Sequence, residues 1–229
     1  MQVVILAGGL GTRLRPLTLE KPKSMIEIEG KPFLQYQIEL LRRQGVEDIV
    51  LCIGYLGEKI EEYFGDGRKF GVRIKYSREE KPLGTAGALK KAENLLEDPF
   101  FTLYGDSYLF ADLKAIYAWF MERTKIALMT VYKNYDRYDR SNTVIEGEFV
   151  KKYDKRNKTP DMIYIEYGLN LFRKKVLDLI PDKPYGLEDL FPRLAEMKEL
   201  LAYEVFERFY EIGSPKGLYE FTEFVRRDR

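Results

Sequence analysis

The chain has 229 residues, of which 38 are Lys or Arg and 37 are Asp or Glu, so its formal net charge is +1. This balance argues against a general nucleic-acid or membrane binder, which usually carries an excess of one sign. The sequence contains no histidine, which excludes Ser-His-Asp and Cys-His catalysis, histidine acid–base chemistry and histidine zinc sites. A catalytic metal would have to be held by carboxylates and substrate oxygens, which points to Mg²⁺.

The length suits one large α/β domain better than two small ones. The single cysteine, Cys52, lies in an apolar run and has no partner for an intramolecular disulfide, which favours a reducing compartment. The N-terminal apolar stretch breaks at Gly8 and is too short for a signal peptide or a membrane span. We therefore expect a cytoplasmic protein without a membrane or nucleic-acid partner.

Short apolar runs alternate with helical spacings through the first half of the chain, which predicts βαβ units and a mainly parallel, mixed sheet flanked by helices. Beyond residue 141 the pattern changes to a β-hairpin insertion with a turn at Glu146–Gly147, a strand, two helical stretches and a last amphipathic helix. The predicted strands are 3–7, 48–54, 72–77, 100–106, 125–132 and 162–172, and the predicted later helices are 173–180, 187–200 and one from about 215.

The first strand runs directly into the glycine-rich segment 8–18, "GGLGTRLRPLT". A glycine-rich turn at the carboxyl end of a parallel strand is where phosphates bind in open α/β sheets. Gly8, Gly9 and Gly11 would let the main chain approach a phosphate and aim N–H groups at it. The segment lacks the Gly-Lys-Ser/Thr of a P-loop, and Leu14 occupies the place of the third glycine of a dinucleotide fingerprint.

The same segment carries the cations Arg13, Arg15, Lys21 and Lys23. In a phosphoryl-transfer site such cations neutralise charge that builds on the phosphate and its leaving group. The alternative is a solvated basic loop, which the position directly after a strand disfavours.

The segment 6–25, "LAGGLGTRLRPLTLEKPKSM", closely resembles the N-terminal signature of the sugar-1-phosphate nucleotidyltransferases. The resemblance implies that Arg13 serves the transfer and that Lys23 contacts phosphate. Ser24 stands where many members have proline. The nucleotide-phosphate contacts implied are Leu6, Ala7, Gly8, Gly9, Gly11 and Thr12.

Residues 79–89, "EEKPLGTAGAL", resemble the family's second motif, which flanks the nucleotide base. This resemblance adds Pro82, Gly84, Thr85 and Gly87 to the nucleotide-binding residues. The two glycines would let the turn lie against a flat ring. Taken alone, Thr85 would instead be an N-cap of the helix that follows.

Two acidic residues are the candidate Mg²⁺ ligands. Asp106 ends an apolar strand in "LYGDSYL" and matches the family's metal-binding aspartate, although a turn or a helix cap would also explain an isolated Gly-Asp. Glu211 in "RFYEIGSPKGL" matches the second metal-binding aspartate of the family with a longer side chain. Glutamate would coordinate the ion directly or through water.

The acceptor side matches the family less closely. Where many members carry "NAG", this chain has Glu166, Tyr167 and Gly168. Glu166 would accept hydrogen bonds from sugar hydroxyls, and Tyr167 would offer an apolar face. Lys155 is the best match to the family's phosphate-contacting lysine, with Arg156 as its competitor, and both could instead be surface charges on the hairpin.

The resemblance extends from residue 1 to about 220. It implies a Rossmann-like, single-domain nucleotidyltransferase spanning residues 1–229, without the hexapeptide β-helix found in many members. The chain looks most like the short bacterial heptose- or mannose-1-phosphate guanylyltransferases, so an NTP and a sugar 1-phosphate are the expected substrates and Mg²⁺ the cofactor. A homodimer is compatible with this class.

Two other functions stay open on the sequence alone. A phosphocholine cytidylyltransferase could use some of the 17 tyrosines as a cage for a quaternary ammonium. A regulatory subunit that binds nucleotide or sugar without turnover would explain the unusual Glu211 and the altered "EYG".

Overall fold

The computed structural model describes residues 1–227, which form two compact units. The first contains Met1–Pro82, Leu103–Tyr108 and the segment that begins at Phe209, and the second contains Leu83–Thr102 and Leu109–Arg208. No helix in this part of the chain is long and apolar enough to cross a bilayer. The strands are β1 (Gln2–Leu6), β2 (Glu27–Ile28), β3 (Lys31–Pro32), β4 (Asp48–Ile53), β5 (Arg73–Arg78), β6 (Phe100–Tyr104), β7 (Ser107–Tyr108), β8 (Ala127–Lys133), β9 (Thr143–Glu146), β10 (Phe149–Tyr153), β11 (Tyr164–Phe172), β12 (Leu200–Val205) and β13 (Tyr210–Glu211), and the α-helices are α1 (Phe33–Arg43), α2 (Gly57–Phe64), α3 (Gly84–Lys91), α4 (Leu113–Met121), α5 (Leu187–Glu196) and α6 (Pro215–Arg227).

The first unit is built on the parallel strands β5, β4 and β1, in that spatial order. Gln2 pairs with Asp48, and Asp48 pairs with Arg73, so the three strands start at the same edge. Parallel neighbours need a crossover connection, which α1 and α2 provide. The βαβ units expected from the alternating pattern are confirmed.

Helix α6 packs on α1 through aromatic side chains. The Phe221 ring of α6 lies 4.9 Å from the Phe33 ring of α1 in an edge-to-face arrangement, and it also lies 5.0 Å from the Tyr108 ring. Phe33 and Phe221 are completely buried. Such pairs contribute roughly 0.5–1.5 kcal/mol beyond their buried area, so the C-terminal helix is held firmly against the N-terminal half of its unit.

The short strands β7 and β13 join two distant parts of the first unit. They pair antiparallel, with Ser107 opposite Glu211 and Tyr108 opposite Tyr210. The Ile212 N–H also donates to the Asp106 carbonyl over 2.9 Å. This ladder sets Asp106 and Glu211 side by side.

The second unit contains a mixed sheet in the order β11-β8-β12-β10-β9. Strand β8 is parallel to β12 and antiparallel to β11. The expected hairpin is β9–β10, but its turn is Gly147–Glu148 rather than Glu146–Gly147. Phe149 pairs with Leu201 of β12 and Thr143 pairs with Tyr164 of β11, so both strands of the hairpin join the sheet.

Two predicted helices are shorter than expected. The stretch 173–180 contains only a 3₁₀ helix, Lys174–Leu179. Helix α5 ends at Glu196, since Lys198 adopts a left-handed conformation with φ of 53° and turns the chain into β12.

The start of α3 is fixed by a loop from the same unit. The main-chain N–H groups of Ala86 and Gly87 both donate to the Tyr185 carbonyl over 3.0 Å. Thr85 is not the N-cap of α3, because that position belongs to Leu83. Its hydroxyl instead accepts from the Leu187 N–H over 2.7 Å, so it satisfies the first turn of α5.

Gly84 and Gly87 have a packing reason to be glycine. Gly84 has a φ of +76°, and a methyl group there would lie 2.5 Å from the Tyr185 carbonyl oxygen and 3.1 Å from its nitrogen. A methyl group on Gly87 would lie 3.1 Å from the Leu83 Cβ. Close approach to the Tyr185 backbone therefore gives Gly84 a packing reason, and close approach to the Leu83 Cβ gives Gly87 one.

We predict that Gly84→Ala lowers the free energy of unfolding by at least about 2 kcal/mol in urea titrations. The left-handed backbone alone costs an alanine roughly 1–2 kcal/mol, and the Tyr185 backbone cannot move as a flexible side chain would.

Gly147→Ala is the matched control, since Gly147 also has a positive φ, +59°, but a methyl group there meets no atom of the described residues within 4 Å. Equal losses for the two variants would contradict the packing explanation for Gly84.

Candidate active site

The glycine-rich loop starts where β1 ends, and its glycines differ in their surroundings. A methyl group on Gly8 would overlap the Glu79 carboxylate, and one on Gly11, whose φ is +61°, would lie 2.9 Å from a Thr18 methyl carbon. The Thr18 hydroxyl also donates to the Gly11 carbonyl over 2.9 Å. Gly9, in contrast, has no neighbour within 4 Å of its missing side chain in residues 1–227. Of the three glycines, Gly9 alone has open space on the side where a side chain would stand.

Arg13 lies in a 3₁₀ turn, Thr12–Leu14, that follows Gly11 directly. Leu14 is buried and anchors the turn, whereas Thr12 and Arg13 are exposed. The Arg13 guanidinium is therefore carried by a short turn that the buried Leu14 side chain anchors. Leu6 and Ala7 are the last residues before the loop. Leu6 is partly exposed and Ala7 is buried.

Asp106 lies in the two-residue turn between β6 and β7. The Gly105 N–H donates to the Leu6 carbonyl over 3.0 Å, and a methyl group on Gly105 would lie 3.1 Å from the Ala7 Cα. The turn therefore rests directly on the start of the glycine-rich loop. Lys23, from a second 3₁₀ turn, pairs with Asp106 at 2.5 Å between Nζ and Oδ2, and both side chains are about one-fifth exposed.

The Glu211 carboxylate lies at the beginning of α6. The Gly213 N–H donates to its Oε2, and the Ser214 hydroxyl donates to Oε1 over 2.5 Å. Negative charge is favourable near a helix N-terminus, where main-chain N–H groups lack partners. The hydroxyl of Ser214, the residue before α6, accepts from the Gly217 N–H over 3.0 Å, so Glu211 holds the residue that caps the helix.

Gly213 marks the point on which the charged groups converge. A methyl group there would lie 2.8 Å from Glu211 Oε2 and 3.1 Å from Asp106 Oδ2. The same methyl group would lie 3.0 Å from Arg13 Nη2. Gly213 was not among the predicted site residues. Its position two residues after Glu211 was the signal in the sequence that could have identified it.

This donor set fits a hard divalent cation in part. Glu211 Oε2 and Asp106 Oδ2 lie 2.8 and 3.1 Å from the position that a methyl group on Gly213 would occupy. Mg²⁺ and similar ions prefer such oxygen ligands. Residues 1–227 contain no group of three or more acidic or cysteine side chains that could hold an ion alone. Asp106 and Glu211 would therefore supply part of a coordination shell, with substrate oxygens for the rest.

The predicted acceptor residues lie in the second unit at an irregularity of β11. The pairing with β8 shifts register between Glu166 and Asn170, and Gly168 there has a φ of +100°. Such bulges re-aim side chains and are common beside active sites. The Thr130 hydroxyl donates to the Leu169 carbonyl over 2.6 Å and compensates locally for the disrupted ladder.

Glu166 is a buried carboxylate with several hydrogen-bond donors around it. It accepts from the Tyr153 hydroxyl over 3.0 Å and from Asn170 Nδ2 over 3.2 Å, and Lys155 Nζ lies 3.4 Å away. Burial, followed by the negative charge of Glu166, raises the pKa of Tyr153, so this hydroxyl remains a donor. The structure thus brings Lys155 and Glu166 together.

Two acceptor-side expectations change in the structure. Tyr167 is only 2% exposed, so its ring does not present the open apolar face that was expected. Its hydroxyl accepts from the Phe110 N–H over 3.1 Å.

Arg156 is largely exposed and pairs with Asp189 at 3.7 Å, which leaves Lys155 as the better match. Lys155 and Arg156 both line an open pocket of about 500 Å³ beside α5.

The base-side residues differ in exposure. Pro82 and Gly84 are exposed, Thr85 is half-buried and Gly87 is buried. The exposed pair could contact a ligand directly, whereas Thr85 and Gly87 are engaged in packing within the second unit.

Comparison with known proteins places these features in a family. The model of the nucleotidyl transferase family matches residues 2–228. The D-glycero-alpha-D-manno-heptose 1-phosphate guanylyltransferase of Campylobacter jejuni is 33% identical over 223 residues, which cover 96% of this chain and 98% of the relative. The mannose-1-phosphate guanyltransferase of Yarrowia lipolytica is 35% identical over 94% of this chain, and the chain spans 61% of that relative's length.

A solved structure agrees with these relatives. HddC from Yersinia pseudotuberculosis, complexed with GMP-PN, superimposes with a TM-score of 0.84 and 28% identity, covering 98% of this chain and 99% of that chain. Nucleotidyltransferases of this family generally use a divalent metal. The fold, the first motif and the relatives agree, and the chain belongs to the sugar-1-phosphate nucleotidyltransferase family.

Proposed function

We propose that this chain transfers a guanylyl group from GTP to a heptose or mannose 1-phosphate and releases pyrophosphate. The observation that carries the proposal is the convergence of Arg13, Asp106 and Glu211 around Gly213. The choice of base and sugar follows from the relatives, of which the heptose enzyme is matched over almost its whole length. Pyrophosphate release measured with a panel of NTPs and sugar 1-phosphates tests both parts of the proposal.

In the proposed reaction, an oxygen of the acceptor phosphate attacks the α-phosphorus of the NTP. A new phosphorus–oxygen bond forms, the bond to the β-phosphate oxygen breaks, and the electron pair leaves with pyrophosphate. The attacking phosphate is already anionic, so no histidine or other general base is needed. Catalysis then consists of positioning and of stabilising the developing negative charge.

The residues of the first unit have distinct proposed roles. Gly9 leaves the space in which phosphates approach the main chain, and Arg13 stabilises charge on the transferred phosphate. Lys23 holds Asp106 through its ion pair and contacts phosphate. Asp106 and Glu211 would hold a divalent cation, proposed to be Mg²⁺, which supplies charge neutralisation to phosphate oxygens when bound.

On the acceptor side, we propose that Lys155 contacts the sugar phosphate and that Glu166 accepts hydrogen bonds from sugar hydroxyls. Their 3.4 Å pair supports a shared site in the second unit. Tyr167 would act from inside the unit by supporting the bulge, since its ring is enclosed. CTP with phosphocholine, added to the panel, distinguishes this proposal from phosphocholine cytidylyl transfer, and any turnover excludes a binding-only subunit.

We also propose that the protein is a cytoplasmic homodimer. Sedimentation of the purified protein with and without GTP tests the assembly.

We predict that Arg13→Ala lowers the turnover number by roughly 10²–10⁵, the range for removing a preorganised charge at a transferred phosphoryl group. Pyrophosphate release at saturating substrates measures the loss. Arg68→Ala is the control and should keep the wild-type turnover number, because Arg68 is exposed and pairs with Asp66 rather than with a residue of the proposed site. A fully active, folded Arg13→Ala variant would remove Arg13 from the mechanism.

Gly213→Ala should also lower turnover by about 10², because its methyl group must displace charged groups that lie within 3.1 Å and misplacement by about 1 Å can cost this much. Gly30→Ala serves as control, since Gly30 has a positive φ of +82° with no described atom within 4 Å of the added methyl. If Gly213→Ala behaves like Gly30→Ala in turnover, the convergence has no role in catalysis.

We expect Glu211→Gln to raise the Mg²⁺ concentration needed for half-maximal rate, since a neutral amide binds a hard cation poorly. Glu211→Asp keeps the charge on a shorter side chain and should lie between Gln and wild type. Titrating Mg²⁺ at fixed GTP and acceptor gives these values. If Gln lowers only the melting temperature and leaves the Mg²⁺ requirement unchanged, Glu211 supports the start of α6 and is not a metal ligand.

A further inference from the structure

Gln37 is a polar residue on the buried face of α1. Its neighbours on that face are Phe33, Leu34, Ile38 and Leu41, and Gln37 itself is only 1% exposed. Burying an amide is costly unless it finds hydrogen-bond partners. The partners of Gln37 therefore indicate why it stands at this position.

The Gln37 amide bridges the turn that carries Asp106. Its Nε2 donates to the Tyr104 carbonyl over 2.9 Å and to the Ser107 carbonyl over 2.7 Å. These two carbonyls lie immediately before and after Gly105–Asp106. One side chain thus holds both ends of a two-residue turn.

The orientation of this amide is determined by its surroundings. Two carbonyl oxygens can be satisfied only by the amide nitrogen, which carries two N–H donors. Gln37 Oε1 is buried and has no hydrogen-bond partner among residues 1–227. The Gln37 amide oxygen thus stays without a hydrogen bond while the amide nitrogen satisfies two carbonyls of the turn. This indicates a role in the turn rather than in general packing.

We propose that Gln37 is a positioning residue for Asp106, one that fixes the carboxylate for the divalent cation without touching substrate or ion. The inference rests on the metal-binding role proposed above for Asp106. Leu6, through the Gly105 N–H, and Ile212, through the Asp106 carbonyl, hold other groups of the turn. Gln37 donates to both carbonyls that flank the turn.

Gln37→Met tests the proposal, because methionine has a similar volume and lacks both donors. We expect the Mg²⁺ concentration for half-maximal turnover to rise roughly 10–100-fold, the usual effect of losing a residue that orients a metal ligand. A second readout is the melting temperature with GTP, measured once in EDTA and once with Mn²⁺. The stabilisation by GTP in EDTA should persist, and the additional stabilisation by Mn²⁺ should shrink.

Ile38→Val is the matched control, since Ile38 is the next residue of α1 and is fully buried. It should lower the melting temperature without changing the Mg²⁺ requirement or the Mn²⁺ increment. A folded Gln37→Met variant with wild-type values for both readouts would overturn the proposal. If Gln37→Met does not fold, Gln37→Glu replaces it, because the carboxyl group keeps the shape and presents oxygen to at least one of the two carbonyls.

A combination with Asp106→Asn separates positioning from a general structural effect. Because Gln37 is proposed to act through Asp106, Gln37→Met should cause no further loss of the Mn²⁺ increment in that background. An additional loss would contradict the proposal. If the wild-type protein itself shows no metal-dependent turnover with any NTP and sugar 1-phosphate, the proposed function fails, which is a different result from a failure of the Gln37 inference.

Discussion

The structure of the first unit depends on keeping two carboxylates together. Asp106 and Glu211 direct oxygens toward one point beside Gly213, where like charges would repel each other. The surroundings offset this repulsion with the Lys23 ammonium on Asp106 and with the Gly213 N–H and Ser214 hydroxyl on Glu211. The glycine at 213, the residues before α6 and the β7–β13 ladder all lie around this arrangement.

Much of the fold was predictable because its signals are local. The strands and helices of the first half show periodicities of two and 3.6 residues, and the loop after β1 has the glycines and cations typical of phosphate sites. The predictions lost accuracy where distant residues decide the structure. Thr85 looked like a cap for its own helix, but its hydroxyl serves Leu187, which no local pattern indicates. The end of α5 was similarly decided by the left-handed Lys198.

The site itself divides in the same way. Arg13, Lys23 and Asp106 could be selected from short motifs, and the structure places Lys23 on Asp106. Gly213 and Gln37 could not be selected, because their importance lies in what surrounds them after folding. The exposure expected for Tyr167 was wrong, since that ring is buried and its hydroxyl accepts from the Phe110 N–H. Sequence patterns thus identify chemical groups better than they identify the residues that hold those groups.

The pairing of β7 with β13 also affects the order in which the chain acquires its function during synthesis. Asp106 leaves the ribosome roughly a hundred residues before Glu211, and the glycine-rich loop roughly two hundred residues before it, so Asp106 waits roughly 5 to 20 seconds for Glu211 at typical elongation rates. Through that interval Asp106 has Lys23 as its counter-charge but lacks the second carboxylate and the ladder that orders its turn. A nascent chain therefore carries the phosphate loop without the full proposed cation site, and catalytic competence arrives only with the last strand and helix.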